Sequence, residues 1–212
     1  MVNLIEIKKE INSKSLDLSS KVKIIAVSKT FSIDNILPLV DYGHLDFGEN
    51  KVQEAVDKWT DIKNNKKDLK LHMVGKLQTN KVKQAVKLFD YIHSLDSLKL
   101  AKKISEEQKK IKKSIKIFIQ INIGDENQKS GIKIDELPNF YNSCIKDYKL
   151  DVIGLMCLPP INLDPTVSFE KMRQASKNLS LNELSMGMSS DYLTAINFNS
   201  SFVRIGSKIF GK

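Results

Sequence analysis

The sequence predicts an α/β protein, a single (β/α)8 TIM barrel with an extra helix ahead of its first strand. Three observations carry that expectation. Eight short apolar runs follow one another along the chain, helical periodicity fills the gaps between them, and polar segments, many with Gly or Ser, stand at the carboxyl ends of the runs. Strands alternating with helices imply a parallel sheet, and eight is the number that closes a barrel. An open doubly wound sheet, which usually stops short of eight strands, is the alternative. No composition break or Pro/Gly linker divides the 212 residues, so one domain covering residues 1–212 is expected.

Taken in order, residues 3–18 place Leu4, Ile7, Ile11 and Leu16 on one helical face. Lys23-Ile24-Ile25-Ala26-Val27 is short, β-branched and bounded by polar residues, the pattern of a buried parallel strand. Further strands are predicted near 45–48, 71–75, 91–94, 115–123, 152–157, 183–187 and 202–205. Between the first two lies a helix over 32–42, with Ser32 as N-cap and Pro38 bending or shortening it. Val52, Ala55, Val56 and Trp59 mark a helix over 51–59, with Asn50 as its cap and Gln53 as capping-box partner. Val82, Ala85, Val86 and Phe89 repeat that spacing, and Leu98, Ala101 and Ile104 open a lysine-rich helix running to about 113. The stripes Leu137-Tyr141-Cys144-Ile145-Tyr148 and Phe169-Met172-Ala175-Leu179 give two more. A short helix begins near Ser189 or Ser190 and runs through Leu193 and Ile196.

Composition excludes several classes of function. The net charge of +9 comes from scattered lysines interleaved with 25 acidic residues, whereas nucleic-acid binding needs cations gathered on one face. The densest run, Lys109-Lys110-Ile111-Lys112-Lys113, reads as the solvated end of a helix, so no nucleic-acid partner is expected. Cys144 and Cys157 show neither metal spacing nor disulfide density, which points to a reducing cytosol. No signal peptide is recognised and no apolar run approaches the roughly 20 residues of a membrane span, so a cytoplasmic protein away from membranes is expected. His44, His72 and His93 lack zinc spacing, so no metal is expected, and Gly75-Lys76 lacks the Walker pattern.

Chemistry collects where barrel strands give way to helices. Lys29 stands just past the first strand, and a partly desolvated lysine there can lose its proton and attack a carbonyl to form a Schiff base. A surface lysine at a strand end is the plainer alternative. The segments Leu184 to Ser189 and Val203 to Ser207 each put Gly and Ser at a strand-to-helix junction. Ser189 alone could be an N-cap and Gly206 alone a turn. On adjacent strands seven and eight they favour a phosphate site, built from backbone N–H groups and hydroxyls. A carbonyl-reactive lysine and a phosphate site in one barrel mouth describe a pocket for pyridoxal 5'-phosphate.

Several strings make a resemblance specific. Ala26 to Thr30 (AVSKT), Phe47 to Glu54 (FGENKVQE), His72 to Lys81 (HMVGKLQTNK), Lys129 to Ile132 (KSGI), Gly154-Leu155-Met156, Leu184 to Ser189 (LSMGMS) and Val203 to Gly211 (VRIGSKIFG) occur in order from about residue 24 to the C-terminus. They resemble the YggS/PROSC family of pyridoxal phosphate homeostasis proteins, and the last string also resembles a barrel segment of bacterial alanine racemases. The resemblance implies an alanine racemase N-terminal domain-like barrel without the racemases' second domain. It implies Lys29 as the Schiff-base lysine, Ser189, Gly206 and Ser207 around the phosphate, Arg204 facing the pyridine nitrogen, and Asn50 near the ring. Met156, Ser185 and Gly187, from the matching strings, complete the candidate cofactor-binding set, although Met156 by itself reads as packing. Lys51 stands where many members carry an aromatic residue, which removes any stacking contact from that position.

The family's implied role is vitamin B6 and amino-acid homeostasis without established catalysis. Pyridoxal phosphate-dependent apo-enzymes are candidate recipients, and the chain is expected to be a monomer. An arginine is never deprotonated under ordinary conditions, so Arg204 opposite the ring nitrogen leaves a weaker electron sink. The carrier reading therefore leads. A weak, racemase-like enzyme acting on amino acids is the alternative.

Overall fold

Alternation at a period of two along each strand sends successive side chains to opposite faces, and in this protein it produces two separate cores. The structure, a computed structural model, describes residues 2–14, 22–126, 128–160 and 163–211. Among the described residues, eight strands form a closed, all-parallel barrel in sequence order. They are β1 (Lys23–Val27), β2 (Asp46–Glu49), β3 (Lys70–Met73), β4 (Tyr91–Leu95), β5 (Lys116–Ile121), β6 (Asp151–Cys157), β7 (Glu183–Ser185) and β8 (Phe202–Ile205). Strand β1 closes the barrel by pairing with β8 in the register Lys23 to Phe202 through Ala26 to Ile205. This is the fold expected from the sequence, and the open-sheet alternative falls with the β1–β8 pairing.

The helices α1 (Val2–Lys14), α2 (Ile33–Asp41), α3 (Val52–Asn65), α4 (Val82–Leu88), α5 (Leu98–Ile111), α6 (Leu137–Lys146), α7 (Pro165–Asn178), α8 (Tyr192–Asn197) and α9 (Ser207–Phe210) lie along the chain between and beyond the strands. Outward-facing Ile24, Ala26, Phe47, Leu71, Ile117, Ile119, Val203 and Ile205 join the apolar faces of these helices in the larger core. Inward-facing Ile25, Val27, Tyr91, Phe118, Met156 and Phe202 form the smaller core inside the barrel. The predicted N-terminal helix is present as α1. It buries Leu4, Ile7 and Ile11 and rests against α8 and α9. Its Glu10 accepts from the Tyr192 hydroxyl and from Lys208 Nζ. The predicted continuation of this face through Leu16 falls outside the described residues.

Two expected caps are different in the structure. Ser32 occupies the N-cap of α2 without a side-chain cap bond, and Pro38 sits inside that helix without ending it. Asn50 does not cap α3: Lys51 is the N-cap residue, and Gln53 Nε2 donates forward to Asp57 instead of closing a capping box. Asn50 shares the inward parity of Asp46 and Gly48, so its side chain joins the barrel mouth and is lost to the helix.

The barrel interior is unusually polar for a layer that branched apolar residues ordinarily fill. His72 stacks on Tyr91 with centroids 4.3 Å apart, and His93 stacks on Phe118 at the same distance. Burial lowers the pKa of His72 and takes that of His93 well below the usual imidazole range. His44, under β2, is likewise held neutral: burial pushes its pKa down from 6.5 to about 4. A base whose folded pKa is depressed takes up protons more readily when unfolded, so stability falls as pH drops from about 6.5 towards 4. His44 alone should contribute a loss of about 3 kcal/mol across that window. Urea unfolding at neutral pH and near pH 4.5 checks this. A flat profile, or a slope unchanged in His44→Gln, would contradict it.

Candidate functional site

At the carboxyl ends of the strands lies a cavity of about 690 Å³, within the range of small-ligand sites. Its wall comprises Val27, Lys29, Asn50, Val74, Gly75, Leu158, Met188, Ser189, Ser190, Arg204, Gly206 and Ser207. Strand parity explains the membership. Val27 and Arg204 face inward within their strands, and residues 29, 206, 74 and 158 continue the inward-facing alternation past the strand ends.

Lys29 follows β1 and is exposed, not partly desolvated as the sequence reading expected. Its backbone is held from the outer side of the barrel. Ser28 N–H donates to Gly48 O at 2.9 Å, and Ser28 Oγ donates to Glu49 Oε1 at 2.7 Å. Lys58 Nζ, on α3, donates both to Ser28 O at 2.9 Å and to Glu49 Oε1 at 3.0 Å. The residue after Lys29, Thr30, has a φ of 67°, in the left-handed region.

The loops after β7 and β8, the latter strand paired with β1, carry donors. Among the described residues, the backbone N–H groups of Ser189, Ser190, Gly206 and Ser207 donate to no protein acceptor. Successive unspent amides at a loop make a concavity suited to an anion. Lys208 N–H donates to Ser189 Oγ at 3.4 Å, drawing the loop after β7 against the start of α9.

Arg204, on β8, also lines the cavity and is 5% exposed. Its Nη1 donates to Ser185 O at 2.6 Å and to Ser185 Oγ at 2.7 Å, and its Nη2 donates to Cys157 O at 2.8 Å. Burial lowers its pKa from the ordinary arginine value. No carboxylate is among its hydrogen-bond partners in the described residues. A buried guanidinium held by neutral acceptors favours an anionic occupant, because an uncompensated buried charge is costly. Asn50 adds a second open valence. Its Oδ1 is buried and has no partner among the described residues, and Gly75 lets the chain pass so close that a Cβ there would lie 2.4 Å from Asn50 O.

Six of the nine candidate residues thus meet in one place: Lys29, Asn50, Ser189, Arg204, Gly206 and Ser207. Met156, Ser185 and Gly187 do not line the cavity. Met156, 1% exposed, packs one layer deeper, with Leu158 above it on the wall. Ser185 is fully buried beneath the Arg204 side chain. Gly187, with φ of 93°, turns towards α8, where a Cβ would lie 2.6 Å from that of Ala195, and its carbonyl accepts from Arg204 N–H at 2.9 Å. These three build the floor and the support of Arg204. Sequence reasoning missed Val74, Leu158 and Met188 on the wall, and Glu49 and Lys58 behind Lys29. Parity carried one step past each strand would have found Val74 and Leu158.

The profile of the family described as alanine racemase, N-terminal domain, matches residues 2–212. The chain belongs to that family. Within the family, a pyridoxal phosphate homeostasis protein of Pasteurella multocida is 37% identical over 202 residues, which cover 91% of this chain and 87% of the relative. PipY of Synechococcus elongatus, solved without PLP, superposes with a TM-score of 0.87 at 32% identity, covering 97% of this chain and 100% of PipY. Solved with PLP bound, it superposes with a TM-score of 0.83 at 31% identity, covering 95% of this chain and 100% of PipY. An alanine racemase of Clostridium difficile, 14% identical with a TM-score of 0.76, shares the barrel fold over 57% of its own chain. The resemblance drawn from the sequence strings therefore holds over most of the chain. No described helix of this family member is long and apolar enough to cross a membrane.

Proposed function

We propose that this chain binds pyridoxal 5'-phosphate in the cavity at the barrel mouth and serves vitamin B6 and amino-acid homeostasis as a holder of the cofactor. The carrying observation is that Lys29, Arg204 and four unspent backbone N–H groups line one cavity. The PLP-bound form of PipY, a relative superposing over 95% of this chain, supports the reading. When bound, pyridoxal phosphate supplies an aldehyde that condenses reversibly with a primary amine. Lys29 provides that amine at the open rim. The amides of Ser189, Ser190, Gly206 and Ser207, with the serine hydroxyls, hold the phosphate dianion. Arg204 offers a hydrogen bond towards the ring nitrogen without surrendering a proton. Asn50 presents an acceptor to the occupant.

The same wall argues against turnover. Among its described residues there is no His, Asp, Glu, Tyr or Cys, so Lys29 is the one group besides Arg204 that carries a titratable proton. General acid–base assistance contributes about 10²–10⁴-fold to proton transfers, and the wall offers a single candidate for it. We extend the reading to a monomer in the cytoplasm that passes the cofactor to apo-forms of pyridoxal phosphate-dependent enzymes.

Spectroscopic titration of the protein with pyridoxal phosphate tests binding. Arg204→Gln should raise the dissociation constant about tenfold to a hundredfold, the worth of one charge-assisted hydrogen bond of roughly 1.5–3 kcal/mol. Ser189→Ala should cost less, about 1 kcal/mol or fivefold, because the backbone amides remain. An Arg204→Gln protein with wild-type affinity removes Arg204 from the pocket's function. Incubation of the loaded protein with L-alanine in deuterated water tests the absence of turnover. Deuterium at the α-carbon at about 1 s⁻¹ or faster, an ordinary enzymatic rate, would restore the enzyme reading.

A further inference from the structure

A line of hydrogen bonds crosses the barrel interior from Arg204 to the far end of β2. Arg204 Nη1 donates to Ser185 Oγ at 2.7 Å, and Ser185 Oγ lies 2.9 Å from His93 Nδ1. His93 Nε2 lies 2.9 Å from His72 Nδ1, and His72 Nε2 lies 3.0 Å from Asp46 Oδ1. Ser185, His93 and His72 are all fully buried.

The two ends of this line fix the direction of every bond in it. A guanidinium can only donate, and an ionised carboxylate can only accept. Ser185 Oγ already accepts from Arg204, so its own hydrogen goes to His93 Nδ1. The His93 proton then sits on Nε2 and is donated to His72 Nδ1. That places the His72 proton on Nε2, facing Asp46. The opposite assignment would leave an unprotonated His72 Nε2 against the carboxylate, two acceptors in contact. Both imidazoles are neutral in this scheme, which agrees with the lowering of their pKa by burial. Burial acts to raise Asp46, but its hydrogen bond from His72 and the ammonium group of Lys23 act the other way, and its pKa lies below the usual value.

We propose that Asp46, His72, His93 and Ser185 are positioning residues for Arg204: a one-way hydrogen-bonded line holds the guanidinium so that its uncommitted N–H groups serve the cavity. Arg204 spends Nη1 on Ser185 and one Nη2 hydrogen on Cys157 O, which leaves Nε–H and the second Nη2–H. Of the four positioning residues, none is on the cavity wall, so any effect they have on a ligand passes through Arg204. The effect on pyridoxal phosphate rests on the function proposed above, whereas the tautomers do not.

The test reads the histidine tautomers of the ligand-free, ¹⁵N-histidine-labelled protein by long-range ¹H–¹⁵N correlation at neutral pH, and then measures pyridoxal phosphate affinity. In the wild type, His72 and His93 should both be Nε2–H tautomers. Asp46→Ala removes the terminal acceptor and should populate the Nδ1–H form of His93, two hydrogen bonds away. It should also raise the dissociation constant about threefold to tenfold, the equivalent of one ordinary hydrogen bond. Asp46→Asn keeps a carbonyl acceptor and should restore the wild-type tautomers, which general destabilisation would not explain. If Asp46→Ala does not fold, Ser185→Ala reads the same His93 tautomer from the other end. An Nδ1–H His93 in the wild type, or a His93 spectrum indifferent to Asp46→Ala, overturns the line. Shifted tautomers with unchanged affinity overturn positioning while leaving cofactor binding intact. If the wild type takes up no pyridoxal phosphate, the proposed function fails and the tautomers still decide the line.

Discussion

Lys29→Ala is expected to abolish covalent retention of pyridoxal phosphate completely while leaving the barrel folded. Lys29 is exposed, lies beyond the last residue of β1, and among the described residues makes no ion pair or side-chain hydrogen bond. Surface substitutions of that kind usually change stability by no more than about 0.5 kcal/mol. The phosphate-side amides and Arg204 are untouched by the change, so the variant should still bind the cofactor reversibly and lose it on dialysis. Borohydride reduction followed by peptide mapping makes the distinction. The wild type should carry a pyridoxyl group on the peptide containing Lys29, and the variant should carry none. Lys76 lies on a neighbouring cavity beside Val74 and Gly75, and Lys81 lies further along in the same string. A pyridoxyl group on either of them in the wild type would defeat the assignment of Lys29.

Glu49→Ala should be the most damaging single substitution near the site, at about 3–5 kcal/mol of stability, the usual result of removing one partner of a buried ion pair. Glu49 is fully buried on the outward face of β2. Its Oε1 accepts from Ser28 Oγ, from Lys58 Nζ, and from Trp59 Nε1 at 2.9 Å. Its Oε2 has no partner among the described residues, and one oxygen serves three donors. The alanine variant strands the indole N–H and leaves an ammonium group that is only 13% exposed without its carboxylate, with Ser28 O as its remaining acceptor. Glu49→Gln retains an oxygen acceptor and should cost less, about 1–3 kcal/mol. The loss should also be felt at the rim, because the same contacts hold Ser28, the residue before Lys29. Guanidinium unfolding of both variants measures the stability. A Glu49→Ala protein within about 1 kcal/mol of wild type would show that the cluster is not a support.

The order of elements was legible in the chain because it depends on local alternation. Short apolar runs such as Ile24 to Val27 and period-3.6 stripes such as Val52-Ala55-Trp59 recur, and most strand bounds fall within two residues of those expected. The count of eight strands implied closure, and closure placed Lys29, Ser189, Arg204, Gly206 and Ser207 together, as strand-end residues of one mouth should be. Depth was not legible. Barrel strands are tilted and staggered, so residues of equal parity on different strands occupy different layers. Only the assembled register puts Met156 and Ser185 beneath the cavity, with Leu158 and Arg204 above them. Partnership between distant residues was equally hidden. Asn50 reads as a helix cap locally, but the inward face of β2 claims it for the mouth. His72 and His93 have no informative spacing in sequence, and the side-by-side pairing of β3 and β4 brings their rings within hydrogen-bonding reach. Sequence alone thus named the candidate residues at the strand ends. Tertiary structure decided which of them line the cavity and which lie beneath it, because layer and neighbour are set by strand stagger on closure and by no local periodicity.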